Sequence, residues 1–156
     1  MKSVAHLQTL LKQRTWDKEV LLWIGPEKEL LQALGPARIQ VLDLLDLFNP
    51  QNLPIDEEET RQQLREGLRT RLRMTPKGPD SRTVFIVKSV GLLARYNAGL
   101  KEFYDWFISD FTMVMLLLDG AVAGAEWPEE VRCQANRLIS YFSEPSMVKD
   151  VISATG

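Results

Sequence analysis

The sequence contains very few of the residues on which many active sites and cross-links depend. Among its 156 residues there is one cysteine, Cys133, and one histidine, His6. An intramolecular disulfide needs two cysteines, and a Cys/His zinc site needs a cluster of ligands. A Ser–His or Cys–His relay would depend entirely on His6. We therefore expect no disulfide framework, no such metal centre and no relay of this kind. A single cysteine also fits a reducing compartment.

Long apolar runs and a strong charge of one sign are absent as well. The most apolar run, residues 113–118, is far shorter than the roughly 20 residues that a membrane-spanning helix needs. The first residues lack the apolar core of a signal peptide. A net charge of −2 gives no general attraction to nucleic acid or to anionic membrane. These features predict a cytoplasmic protein that does not associate with membranes, and the length fits a single domain over residues 1–156.

A third absence concerns the turn between the first predicted strand and the helix that follows it. Residues 19–31 indicate a buried strand, a break at Gly25 and Pro26, and a helix, which is where nucleotide-binding α/β proteins carry a phosphate-binding loop. Such a loop needs several glycines and a Gly-Lys-Ser/Thr ending. Here one glycine is followed by a proline, which has no N–H to donate, and by Glu27 and Glu29. The pattern predicts the strand, turn and helix without a working phosphate site.

The sequence does contain a regular alternation of short apolar runs and amphipathic stretches. We predict strands over 20–24, 38–42, 83–87 and 112–118, and helices over 27–34, 56–74, 91–96 and 100–109. This alternation is typical of a parallel sheet that is covered on both faces. We therefore expect a three-layer α/β fold with a four- or five-stranded, mainly parallel sheet, P-loop-like in topology with a degenerate phosphate loop. A fifth strand is predicted over 138–142 and a last helix over 145–152, with one continuous helix over 132–142 as the open alternative.

The residues at the ends of the predicted strands decide between binding and catalysis. An ATP hydrolase needs a magnesium-binding acid at the end of the third strand, where this chain has Lys88. Asp119 ends the fourth strand and could be a catalytic or sensor carboxylate, but an Asp-Gly turn that bonds its own backbone is the favoured interpretation. If a ligand does bind at these strand ends, Lys28, Lys88 and Asp119 are the expected contacts. No metal or cofactor is predicted.

A row of arginines marks the long predicted helix. Arg61, Arg65, Arg69 and Arg73 recur every four residues beside a leucine stripe. A solvated face held by ion pairs is the favoured interpretation, because acids stand three or four residues away. A protein partner or the phosphates of a nucleic acid are the alternatives, and the absence of interleaved aromatics disfavours a single-stranded nucleic acid.

Aromatic residues are concentrated on the next predicted helix. Phe103 and Phe107 are four residues apart and can both face the core, which leaves Tyr104 or Trp106 directed toward another surface. Exposed aromatic side chains are common at protein interfaces. This segment is therefore a candidate for partner binding.

Residues 41–48, the acidic-then-basic helix after them, and residues 83–93 together resemble the small BrxB-type proteins of BREX phage-exclusion systems. The resemblance extends over about residues 19–120. The small P-loop component of related BREX systems is a competing match, because residues 23–26 look like an eroded start of its phosphate loop. Both resemblances imply an accessory component of bacterial phage defence. The first also implies association with the alkaline-phosphatase-like protein of the system.

These observations lead to three functional expectations. The first is a non-enzymatic accessory protein that docks on a larger partner through Tyr104, Trp106, Arg65, Arg69 and Arg73. The second is a regulator that binds a nucleotide or nucleic acid at the strand ends or on the arginine-bearing helix. A hydrolase that uses Asp119 ranks last.

Overall fold

A computed structural model describes residues 2–14, 16–49, 51, 53–74, 82–106, 111–118, 137–142, 148 and 150–154. The helices are α1 (Val4–Leu11), α2 (Glu27–Leu34), α3 (Glu57–Arg73), α4 (Gly91–Arg95) and α5 (Lys101–Trp106), and residues 137–142 are also helical. The strands are β1 (Trp16–Ile24), β2 (Ile39–Asp43), β3 (Thr83–Lys88), β4 (Phe111–Leu118) and β5 (Asp150–Ser153). A 3-10 turn, Leu44–Leu47, follows β2 directly.

The five strands form one sheet in the order β2-β3-β4-β1-β5, and every neighbouring pair is parallel. The predicted α/β fold with a parallel sheet is therefore confirmed. β1 lies between β4 and β5, while β2 and β5 are the outer strands. Because all strands are parallel, their carboxyl ends meet at one edge of the sheet and their amino ends at the other.

Helices cover both faces of the sheet and bury its strands. On one face, leucines of α1 and α2 pack against Trp23 of β1 and Met115 of β4. On the other face, Leu64 and Leu68 of α3 and Phe103 of α5 pack against the buried side chains of the strands. Burial on both faces explains why the strands are continuous apolar runs rather than alternating ones.

The helix α3 matches its predicted form closely. Asp56 precedes it and accepts a hydrogen bond from the Glu59 N–H at 2.8 Å, while the Glu59 carboxylate accepts one from the Ile55 N–H at 3.1 Å. These reciprocal bonds satisfy donors that a helix start leaves open. Three acids in the first turn and two arginines in the last complement the helix dipole.

The predicted fifth strand is wrong. Residues 137–142 are helical, and the Phe142 side chain is fully buried on the α3 side of the sheet. A short apolar run does not by its periodicity distinguish a strand from one and a half turns of buried helix. The alternative prediction was one continuous helix over 132–142. Residues 137–142 agree with it, and residues 132–136 lie outside the described residues.

The true fifth strand lies where the last helix was expected. β5 pairs with β1, and on its other side Lys2 adds a short bridge: the Lys2 N–H donates to the Val151 carbonyl at 2.7 Å, and the Ser153 N–H donates to the Lys2 carbonyl at 3.0 Å. This pairing supplies backbone partners from distant parts of the chain, which local sequence does not reveal. Among the described residues, no helix is both long and apolar enough to cross a membrane.

Candidate functional site

The carboxyl ends of β1, β2, β3 and β4 form the edge where open α/β sheets usually bind ligands. We call this edge the carboxyl rim, and its described residues include Gly25, Glu27, Asp43, Lys88 and Ser89. Three local features decide its chemistry: the turn after β1, an ion pair between α2 and β3, and a hydrogen bond between the ends of β2 and β3.

The turn after β1 is closed by backbone packing. The Gly25 N–H donates to the Leu118 carbonyl at 3.2 Å, and the Ala154 N–H donates to the Ile24 carbonyl at 3.0 Å. Gly25 has φ of 150°, and a Cβ atom added there would lie 2.6 Å from the Cβ of Ala154. The glycine therefore permits the close approach of the chain that leaves β5. This is an architectural requirement and not a phosphate cradle.

An ion pair lies at the position where a phosphate loop would hold its ligand. Glu27, the first residue of α2, places a carboxylate oxygen 3.3 Å from the Lys88 ammonium nitrogen at the end of β3. Their side chains are about one-third exposed, at 32% and 37%. The carboxylate would repel a phosphate at the helix start, and the ammonium group would repel Mg²⁺ at the strand end. The two charges also neutralise each other, so the rim has little net attraction for either ion.

Asp43 joins the ends of β2 and β3. The Ser89 hydroxyl donates to the Asp43 carboxylate at 2.6 Å, and the Leu45 N–H donates to the same oxygen at 3.1 Å. The bond from Ser89 is the main reason that the pKa of Asp43 is lowered; burial opposes it, and the Leu45 N–H and the Lys88 charge lower the pKa by smaller amounts. Ser89 has a left-handed φ of 61° at this contact. The ionised carboxylate acts as a cap for the 3-10 turn.

The residues predicted for a strand-end ligand lie in different surroundings, and their joint role stays a prediction. Lys88 is paired with Glu27, Lys28 is exposed on α2, and Asp119 lies outside the described residues. A small pocket of about 270 Å³ lies beside Lys88, Ser89 and Gly91. It falls below the roughly 300–1,000 Å³ that ligand pockets usually provide.

The arginine row is directed largely into the molecule. The Arg61 Nε–H donates to the Tyr96 carbonyl at 2.7 Å, and Arg65 donates to the Ala98 carbonyl at 3.4 Å. Arg69 lies 3.3 Å from the carboxylate of Glu102, which is only 5% exposed. Arg61 and Arg65 thus bind the segment that connects α4 and α5, and Arg69 binds the first turn of α5.

The remaining predicted docking residues lie at the two ends of this region. Arg73 is exposed in the last turn of α3. Tyr104 is half-buried against the α3-side core, and burial raises the pKa of its hydroxyl. Trp106 is the last residue of α5, and its side chain lies outside the described residues. Partner binding by this set stays a prediction.

A second surface, which the sequence did not indicate, exposes large apolar side chains around β2. We call it the β2-edge surface, and it consists of Val41, Leu45, Leu53, Ile55 and Met74, which are 54%, 58%, 63%, 92% and 76% exposed. Val41 and Met74 line one groove of about 410 Å³. Leu45 and Leu53 line another, of about 390 Å³, together with Phe48 and Tyr96. Exposed apolar clusters of this kind are typical of interaction sites.

The backbone of β2 is also open to a partner. Among the described strands, β2 pairs with β3 alone. The Val84 N–H donates to the Arg38 carbonyl at 2.9 Å, so Arg38 and, by alternation, Gln40 direct their backbone groups toward β3. The N–H and C=O groups of Ile39 and Val41 therefore face outward. An edge of this type can accept a further strand.

Comparison with known proteins adds no family assignment. No protein-family model matches this sequence, and the curated proteins give no significant match. Within the described ranges, no three His, Cys, Asp or Glu side chains come together as a metal site. The functional argument therefore depends on the geometry of the described surfaces.

Proposed function

We propose that this protein is a non-enzymatic accessory protein that docks on a larger partner through the β2-edge surface. One observation carries the proposal: five large apolar side chains, between 54% and 92% exposed, lie on the outer strand β2, on the 3-10 turn that follows it and on the residues that flank α3. Leaving such side chains in water forfeits the free energy that their burial would supply, about 25 cal/mol per Å² of apolar surface. A partner that covers them recovers it.

The chemistry of the surface indicates what kind of segment it would take. The outward N–H and C=O groups of Ile39 and Val41 can pair with one extended strand. One groove lies beside β2 and the end of α3 and the other beyond the carboxyl end of β2; most of their lining residues are apolar and suit apolar side chains of the same segment. We therefore propose an extended, apolar segment of the partner as the occupant, paired to β2 along its backbone.

The state of the carboxyl rim supports a binding role over a catalytic one. Glu27 and Lys88 neutralise each other at the place where a nucleotide hydrolase would need a free lysine and a free acid. Asp43 accepts two hydrogen bonds, which stabilise its charged form and make it a poor general base. The resemblance to BrxB-type proteins suggests that the partner is the alkaline-phosphatase-like component of a phage-exclusion system.

Affinity capture from the native host tests this proposal. The tagged wild-type protein should retain a larger partner, and a variant with Leu53→Ser and Ile55→Ser should lose it. Both positions are more than half exposed, so the free energy of unfolding should change by no more than about 0.5 kcal/mol. Leu31→Ser is the matched control, because Leu31 is 41% exposed on α2, which covers the opposite face. Equal capture by all three proteins would refute the proposed surface.

A further inference from the structure

A cavity lies at the amino edge of the sheet, opposite the carboxyl rim. It has a volume of about 670 Å³ and opens between the ends of α1 and α2, the start of β1 and the residue before β3. We call it the amino-edge cavity. Its size lies within the range of small-molecule sites, roughly 300–1,000 Å³. Its polar lining comes mainly from Gln8, Lys12, Gln32, Arg38 and Arg82.

The charge of the amino-edge cavity is one-sided. Among the described residues that line it, Lys12, Arg38 and Arg82 are charged and none is acidic, although the whole chain carries a net charge of −2. Arg38 is exposed, and neither it nor Lys12 forms an ion pair with any described residue. Three cations that converge without counter-charges repel one another, and a bound anion relieves that repulsion.

The floor of the cavity holds one of these cations in place. The Arg82 guanidinium carbon lies 3.9 Å from the centre of the Trp16 ring, and Trp16 is only 4% exposed. Arg82 also donates to the Leu11 carbonyl at 2.9 Å and to the Gln13 carbonyl. Burial lowers the pKa of Arg82, but a guanidinium remains charged at neutral pH. The cation is therefore preorganised, which reduces the entropy lost when a ligand binds.

Two buried donors at this floor have no acceptor among the described residues. The Trp16 Nε1 and Arg82 Nε atoms are both shielded from solvent and make no hydrogen bond within that part of the chain. Buried unpaired donors are uncommon and costly. Both donors belong to side chains that line the cavity, so polar groups with unused hydrogen-bonding capacity lie directly beneath its surface.

A competing explanation is that the three cations complement helix dipoles, because the carboxyl ends of α1 and α2 both lie at the amino-edge cavity. Arg82 does serve α1, because it binds the carbonyl of Leu11. At the end of α2 the Leu31 and Leu34 carbonyls are satisfied by the N–H groups of Gly35 and Ala37, each at 3.3 Å. The helix ends therefore account for Arg82, whereas the side chains of Lys12 and Arg38 make no hydrogen bond or ion pair to the described residues.

From these observations we infer that the amino-edge cavity binds a small polyanion that presents phosphate or carboxylate oxygens to Lys12, Arg38 and Arg82. The site is separate from the carboxyl rim and from the β2-edge surface. The inference therefore does not depend on the proposed docking function. Trp16 gives it a local spectroscopic probe, because its indole N–H lies at the floor of the cavity.

Titration of ¹⁵N-labelled protein with pyrophosphate and, separately, with citrate tests the inference by NMR. The Trp16 indole signal, assigned through Trp16→Phe, should shift and saturate. The Trp23 indole signal should not, because that group donates to the Pro26 carbonyl at the other edge of the sheet. Tighter binding of pyrophosphate would identify a phosphate ligand, tighter binding of citrate a carboxylate ligand, and equal binding a general polyanion site.

Charge variants separate a specific site from general attraction. Lys12→Gln and Arg38→Gln should each weaken binding about tenfold, as expected for one lost charge-assisted contact. Lys28→Gln is the matched control, because it removes one positive charge from an exposed position on α2. Absence of a saturable Trp16 shift at millimolar concentrations of both anions would overturn the inference. Equal weakening by Lys28→Gln would overturn it too.

Discussion

At the scale of single residues, the carboxyl rim is occupied by contacts within the protein. Gly25 meets the chain that leaves β5, Glu27 meets Lys88, and Asp43 meets Ser89. In sequence, Gly25 and Lys88 indicate only that a phosphate site is incomplete. The structure adds that Gly25 packs against the chain that leaves β5 and that Ser89 joins the ends of β2 and β3, so both positions should be sensitive to substitution.

Gly25→Ala should destabilise the protein by about 2–4 kcal/mol. The new methyl group would have to avoid Ala154 at 2.6 Å while keeping a backbone conformation that L-residues rarely adopt. Gly99→Ala is the control, since Gly99 also has positive φ, 68°, but has open space around it. That substitution should cost only about 1–2 kcal/mol. Urea unfolding of both variants measures the difference, and equal losses would mean that the Ala154 contact is unimportant.

Ser89→Ala should produce a stability loss that depends on pH. At neutral pH the loss should be about 0.5–1.5 kcal/mol, because the hydrogen bond to ionised Asp43 is removed. The pKa of Asp43 is lower in the folded protein than in the unfolded chain, so this stabilisation is present above the unfolded value of about 3.9 and disappears as the pH falls through the folded value. Urea titrations at neutral and acidic pH test this. If the free energies of unfolding of variant and wild type differed by the same amount at both pH values, the proposed role of ionised Asp43 would be contradicted.

At the scale of elements, the outer strand β2 differs from the buried strands. Its predicted range, 38–42, is nearly that of the structure. Helices were expected to cover both faces of the sheet along this strand as well. Val41 and Gln40 are nevertheless exposed, because β2 is at the edge of the sheet and has a neighbour on one side only. An edge position is a property of topology, and the run of apolar residues in the strand does not encode it.

Proline substitutions distinguish the two sides of β2. Val41→Pro removes an N–H that faces outward, so stability should remain within about 0.5 kcal/mol of wild type while partner capture falls. Gln40→Pro removes an N–H directed toward β3 and should cost about 1–3 kcal/mol. Thermal or urea unfolding gives both values. If Val41→Pro were the more damaging of the two, the assignment of inward and outward groups would be reversed.

At the scale of the whole molecule, three surfaces have distinct characters. The carboxyl rim is neutralised by its ion pair, the amino-edge cavity is positive, and the β2-edge surface is apolar. Sequence patterns were sufficient for the first four strands and for the helices between them, since periodicity and turn residues are local signals. They were insufficient for β5, for the exposure of Leu53 and Ile55, and for the convergence of Lys12, Arg38 and Arg82. Each of these depends on contacts between residues far apart in the chain.

Amide hydrogen exchange with and without the captured partner tests the docking claim most directly. In the free protein, the outward-facing amides of Ile39 and Val41 should exchange quickly, while the Gln40 amide, paired with β3, should exchange slowly. Partner binding should protect Ile39 and Val41 strongly and leave the α5 segment that contains Tyr104 unchanged. Protection confined to α5 and the end of α3, with Ile39 and Val41 still exchanging quickly, would contradict docking at β2 and favour the aromatic and arginine-bearing helices instead.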